Sequence, residues 1–422
     1  MRSIFIPLLL ILLLQGISQA QTISSKKLIV VDRTGKYLDS LVKSIGDKRI
    51  VAIGEDTHGT AEFYELRAAI TRRLILDKGF TTVILENPHE DMMALRAAWS
   101  TEHPDSLMRK HLFAIYQSQQ MKDFLTWFAG QTGQNKKLKL AGCDDSYREL
   151  LPAYLKQAGA RYHDDSLNSM LREFQLRQQL DAKSYYAQVK GPRPDSIPKN
   201  MAYMRELYQL ADRIDSFCVN RRYNDPSLKE LLMHAKTAYI YYERFARKKG
   251  VSRDEIMGER INYYAADPAA KIIVWAHSGH VAKYAWLMDE IGLMGATVSK
   301  AFPHEYFAIG LSGGTGTYSY IENRFINNDH DFSDSLFNAE LHEPVKNSWN
   351  KELMSLSSTG FLLDFSTLSE AERAEVKKQR SLKMLGYGKE SKDGKEYYPV
   401  VLTDLFDALI FLPETRHTTP IF

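Results

Sequence analysis

Two short apolar runs, Ile50 to Ile53 and Thr82 to Leu85, bracket a stretch from Thr60 to Lys78 in which Phe63, Leu66, Ile70 and Leu74 recur at helical spacing. Gly79 stands just beyond it, where a helix commonly ends on glycine. Strand, helix and strand in that order constrain the fold strongly, because a helix-length crossover joins parallel strands and is expected to be right-handed. Further strand candidates are Leu138 to Cys143, Ile272 to Trp275, Tyr306 to Ile309, Gly360 to Leu363 and Ala408 to Leu412. The expected class is α/β, a mostly parallel sheet flanked by helices.

Between Arg161 and Gly250 the strand-like runs vanish, and helical stretches such as "MAYMRELYQLADRIDSF" take over, broken by the loop Lys190 to Pro198. With 422 residues, one large domain or two is expected. The reading is an α/β unit in two parts, 21–160 and 251–422, with residues 161–250 inserted as a helical subdomain or lid covering the carboxyl edge of the sheet.

Residues 1–20 differ in kind. Arg2 is their one charge, Ile4 to Leu14 is apolar apart from a proline, and Ser18-Gln19-Ala20 suits a cleavage site. This reads as a secretory signal peptide, so a periplasmic or secreted protein with no stable membrane insertion is expected. Fifty-five basic and 52 acidic side chains give a net charge of only +3, which offers nucleic acid nothing and leaves a small molecule as the expected partner. Cys143 and Cys218 are the only cysteines, too few for a disulfide scaffold, and the apolar run around Cys143 suits a buried free thiol.

Charge gathers where strands end. The first candidate strand runs into Gly54-Glu55-Asp56-Thr57-His58, the second into Glu86-Asn87, the third into Asp144-Asp145 and the fourth into His277-Ser278-Gly279-His280. In open α/β sheets ligands bind at the carboxyl edge, so this edge is the candidate site. Arg67 sits in the apolar stripe of the first helix and needs a carboxylate, either Glu55 or Glu86; a purely structural ion pair would satisfy it as well. Arg253 and Asp254 open a later helix behind Ser252, a plausible cap, where an anion or oxyanion could bind.

These residues resemble the erythromycin esterase family, whose GE-x-x-H turn, strand-ending glutamate and WAH-x-x-H segment correspond here to Gly54–His58, "VILENP" with Glu86, and "VWAHSGHV". Arg67, "RDEIM" from Arg253 and "DALIFLPETR" extend the likeness from about Ile50 to Arg416, while Ser278 departs from the family's usual asparagine. The resemblance implies hydrolysis of a lactone or other ester, without metal or cofactor, by histidine-activated water. His58 would be the general base, oriented by Glu55 or Glu86. His277 and His280 would position water and carbonyl, and Arg67 and Arg253 would hold the carboxylates or stabilise the oxyanion. Asp144 and Asp254 are expected to contact substrate.

Other readings compete. Gly310-Leu311-Ser312-Gly313-Gly314 matches G-x-S-x-G, but "TGTYSYIEN" behind it reads as strand or turn, whereas a nucleophile elbow needs a helix. His58, Glu86, His277 and His280 would suit zinc by ligand type. An exported binding protein could use the same pocket without turnover. The leader reading predicts a mature chain beginning at or near Gln21 outside the cytoplasm; N-terminal sequencing that finds Met1 in a soluble cytoplasmic fraction would refute it.

Overall fold

The computed structural model describes residues 23–144, 150–189, 196–246, 252–284, 293–326, 329–333 and 335–422. The leader, Asp145 and residues 190–195 of the expected loop lie outside them. Its strands are β1 Leu28–Val30, β2 Ile50–Ile53, β3 Thr82–Pro88, β4 Lys139–Asp144, β5 Ile272–Trp275, β6 Tyr306–Tyr320, β7 Asn323–Ile326, β8 Asp329–Phe332, β9 Phe337–Glu340, β10 Phe361–Asp364, β11 Arg380–Lys383, β12 Tyr397–Val400 and β13 Ala408–Thr415. The main sheet has the order β1-β10-β13-β6-β2-β5-β3-β4, with β9 added on β6. From β13 to β4 every pair is parallel. β10 runs antiparallel between β1 and β13.

Residue alternation sorts the core into two layers, since successive side chains on a strand face opposite ways. Val51, Val83, Leu85, Ile273 and Trp275 pack against α1 Lys36–Ile45, α2 Ala61–Lys78 and the later helix Gln119–Gln134. Ile50, Ala52, Ile84, Ile272 and Val274 pack on the other face against residues from Arg253–Ala265 and Leu293–Ala301. Both faces are therefore apolar and covered, as a parallel sheet requires. α2 begins after Thr60 and ends at Gly79, whose φ of +70° is the left-handed conformation that glycine adopts at little cost.

Several expectations change in detail. The β-α-β unit is present and its strands are parallel, but β5 lies between β2 and β3. Strand order is set by pairing across the whole sheet, which local periodicity does not encode. The candidate at Tyr306 extends to Tyr320 and absorbs the G-x-S-x-G motif into strand β6. The three residues of β1 are too short for a periodic signal and are held by β10.

The helical unit follows α3 His89–Ala98, α4 Pro104–His111 and α5 Gln119–Gln134, and comprises α6 Leu151–Ala160, α7 Asp165–Val189, α8 Ser196–Asn220 and α9 Pro226–Ala246. Leu151 and Leu155 share its core with Leu171, Leu210 and Leu231, so this packing unit starts about ten residues earlier than the strand-free stretch. Its described contacts run up the flank of the edge strand. Glu230 pairs with Lys139 at the start of β4, and Thr237 meets Arg260, which donates to the carbonyl of Cys143 near the strand's end. Among the described residues no helix is long and apolar enough to cross a membrane.

At that edge the β3–β4 register shifts between Leu85 and Pro88. The irregularity brings backbone so close that a Cβ on Gly142 would stand 2.1 Å from the Asn87 carbonyl oxygen. Gly142→Ala is expected to destabilise the fold by about 1–3 kcal/mol, seen as a lower denaturant midpoint with an unchanged slope; wild-type stability would show that the edge yields freely.

Candidate active site

β2 ends at Ile53, and at the following Gly54 a Cβ would lie 2.5 Å from Ser278 Oγ. The next residue, Glu55, is fully buried. Its Oε1 takes the Arg67 guanidinium at 2.7 Å and His58 Nδ1 at 2.7 Å. Arg67 also donates to the carbonyls of Ala276, at 2.6 Å, and Ile53, at 3.3 Å. Of the two carboxylates left open for Arg67, the structure selects Glu55. At 1% exposure the guanidinium is a strut under the strand ends, not a group facing the cleft.

A carboxylate only accepts hydrogen bonds, so the bond to Glu55 puts a proton on His58 Nδ1, and in the neutral imidazole the lone pair is then on Nε2. Nε2 has no hydrogen-bond partner among the described residues. The His58 backbone is held on both sides, its N–H by the Gly386 carbonyl and its carbonyl by the Tyr64 hydroxyl.

The other two histidines are committed. His277 Nε2 lies 3.3 Å from the carbonyl of Asp56, which can only accept, while Nδ1 accepts the Gly279 N–H at 3.2 Å. Burial pushes its pKa well down, and the nearby His58 and His280 add to this, so His277 stays neutral in one tautomer. His280 lies between Asp254, at 2.6 Å, and Glu86, at 3.3 Å. Burial opposes its charge, but the two carboxylates outweigh burial and raise it to about 10. Glu86 shows the reverse balance: burial disfavours the anion, yet His280, His58 and Arg253 hold its pKa well below the usual range. Its Oε2 accepts the His277 N–H at 2.8 Å.

Arg253 closes the cluster. Its side chain keeps 44% of its exposure while donating twice to Asp144, at 2.6 and 2.8 Å, and once to Glu86, at 3.1 Å. Ser252 caps α10 Arg253–Ala265 by accepting from Glu255 N. Asp144 and Asp254, expected to contact substrate, are buried and pair with Arg253 and His280. The pairing follows from desolvation, because a buried carboxylate needs a cation beside it.

Ser312 is not placed as a nucleophile. It lies inside β6, 1% exposed, donating to Asp56 Oδ2 at 2.8 Å and accepting from Asn350 of the helix Trp349–Leu356 at 2.9 Å. Burial raises Asp56 to about 6, although Lys383 and the Gly313 N–H oppose the rise. Asp56 thus anchors the turn that carries His58. The competing zinc set, His58, Glu86, His277 and His280, has its ring nitrogens placed on Glu55, Asp56, Gly279, Asp254 and Glu86, apart from His58 Nε2.

A separate buried group, His89, Glu230 and His234, brings possible ligand atoms within 4.8 Å of one another. Its two imidazoles are stacked at 4.1 Å with planes 7° apart. Ligand lone pairs lie in the ring plane, and nearly parallel planes that far apart do not meet at one ion. Lys139 already neutralises Glu230 at 2.5 Å. The cluster is a polar seam between α3, α9 and α10.

Sequence reasoning passed over Tyr116, whose ring meets His58 edge-on at 5.6 Å, and Asn350, which braces Ser312. Neither sits at a strand end, and no spacing announced them.

Comparison with known proteins follows the same lines. The erythromycin esterase family model matches residues 75–415. The chain belongs to the erythromycin esterase family. Glu86, Asp144, Arg253, His277 and His280 fall within the match; Glu55, His58 and Arg67 lie just before it. An Escherichia coli erythromycin esterase type II is 22% identical over 357 residues, 78% of this chain and 84% of that one. A Bacillus cereus protein of known crystal structure shares the fold with a TM-score of 0.75 at 18% identity, over 94% of this chain and 97% of that one. An erythromycin esterase mutant solved in its open conformation does so at 0.61 and 15%, over 90% and 94%.

The His280 charge gives the site a pH signature. Its folded pKa, about 10, stands above the ordinary 6.5, so its stabilisation is fully present below about pH 6.5 and is lost as pH rises through 10. Melting temperature is expected to fall over that window, and to fall less steeply in His280→Gln, which has no such proton to lose. Parallel profiles would contradict a charged His280.

Proposed function

We infer that this member of the erythromycin esterase family is an esterase-like hydrolase that cleaves a carboxylic ester or lactone with water activated by His58. The observation that carries the reading is one imidazole with Nδ1 locked on Glu55 and Nε2 uncommitted, beside two histidines already bound in other roles. His58 Nε2 would take a proton from water as the water oxygen attacks the acyl carbon, and Glu55 would stabilise the resulting imidazolium. The partly exposed Arg253 and the cationic His280 supply positive charge near the oxygen on which negative charge develops. As the tetrahedral intermediate collapses, His58 returns the proton to the leaving alkoxide. His277 shapes the cleft and takes no proton, since both of its nitrogens are bonded.

A small-molecule ester fits the absence of strong net charge, and the leader-like N-terminus supports action in the periplasm or outside the cell. The E. coli relative is named for a macrolide substrate, which makes macrolide lactones the first compounds to try.

The test is a mass-detected hydrolysis screen of the purified mature chain against macrolides and simple aryl esters. His58→Ala is expected to lower turnover by about 10²–10⁴-fold with the fold intact, whereas Ser312→Ala keeps most activity and forms no acyl-enzyme. A folded His58→Ala at full rate, or a serine-dependent burst of product, would overturn the water mechanism.

A further inference from the structure

The segment from α4 to α5 is pinned over the site with unusual thoroughness. Asn87, at the end of β3, donates to the His111 carbonyl at 2.9 Å and accepts the Phe113 N–H at 3.2 Å. Gln117 ties back to the Leu112 carbonyl at 2.9 Å, and Ser118 caps α5 by accepting from Met121. The short turn Ala114–Tyr116 between them delivers the Tyr116 ring, 4% exposed, edge-on to His58 and against Tyr64 and Phe113.

All this placement serves a phenol whose oxygen bonds nothing among the described residues. The adjacent Tyr64 makes the contrast, because its hydroxyl is used up on the His58 carbonyl at 2.9 Å and the Ile115 carbonyl at 3.4 Å. The ring is buried while its unpartnered oxygen stays open to solvent, so that oxygen is placed to meet a ligand entering beside His58. Burial, and then the charges of Glu86 and Glu55, push the Tyr116 pKa well up, so the oxygen keeps its proton and is a donor.

We propose that the Tyr116 hydroxyl is a catalytic hydrogen-bond donor to the acyl oxygen of the ester attacked beside His58. The proposal rests on the hydrolytic reading above. As the water oxygen bonds to the acyl carbon, the carbonyl electron pair moves onto the acyl oxygen. The Tyr116 O–H donates to that oxygen without giving up its proton, so the phenol starts and ends neutral. The water's proton goes to His58 Nε2 and from there to the alkoxide as the carbon–oxygen bond breaks. Tyr116 adds a neutral donor on the His58 side of the cleft, complementing the cationic Arg253.

Tyr116→Phe separates this role from packing, because it keeps the ring and removes only the unpartnered oxygen. The expected result is a kcat lowered by about 10²-fold, a KM nearly unchanged, and a melting temperature equal to wild type or higher. A lower melting temperature with normal kcat would assign the hydroxyl to the fold and overturn the proposal, as would a raised KM with normal kcat. A normal kcat beside an inactive His58→Ala overturns the Tyr116 role alone, while hydrolysis that survives both substitutions overturns the water mechanism and this role with it. Should the Phe variant not fold, 3-fluorotyrosine at position 116 keeps the hydroxyl and strengthens it as a donor; a shifted kcat at constant KM supports the role, and an unchanged kcat overturns it.

Discussion

The buried ion pair between Glu55 and Arg67 is the constraint on which the rest of the site depends. Both groups are at most 1% exposed, and removing one partner from such a pair leaves an uncompensated charge at a cost of about 3–5 kcal/mol. The guanidinium also reaches the carbonyls of Ile53 and Ala276, so one side chain ties the ends of β2 and β5 together. Glu55, held in this way, presents the same oxygen to His58 Nδ1. The orientation of the proposed base therefore rests on a bond made two residues beyond the strand and a side chain more than two helical turns away in sequence.

Three histidines within one cleft take three electrostatic characters because their partners differ. His58 has one carboxylate on one nitrogen; His277 has a carbonyl and an amide N–H; His280 has a carboxylate on each side. Burial disfavours the charged ring, and it wins at His277. At His280 two anions reverse the outcome. Glu86 links these environments, since it accepts the His277 backbone N–H while pairing with His280 and Arg253. The irregular end of the β3–β4 pairing, where Glu86 and Asn87 leave the regular register, serves both the charge cluster and the segment that carries Tyr116.

Much of this was legible along the chain. The apolar runs at Ile50 and Ile272 match β2 and β5 residue for residue, because four apolar residues bounded by polar turns can only be a buried strand in such a context. The gathering of Glu55, His58, Glu86, His277 and His280 followed from their common position at strand ends. What misled was the length of β6, where glycines after Ile309 read as the end of a strand. They continue it instead, pairing with β13 as far as Gly316. The apolar pattern of the helix from Leu151 does not say which neighbour will bury it, and the structure packs it with the leucines of the helical unit.

The sequence by itself determined the α/β class, the strands at the centre of the sheet and the residue types available at its carboxyl edge, because periodicity and turn chemistry are local. Only the tertiary structure decided that Glu55 and not Glu86 holds Arg67, that Asp144 and Asp254 face cations inside the protein, that β5 lies between β2 and β3, and that Tyr116 stands beside His58. Those outcomes are contests between partners distant in sequence. Which carboxylate meets which cation depends on separations of a few ångströms and on who is left in water, quantities that exist only once the chain has closed.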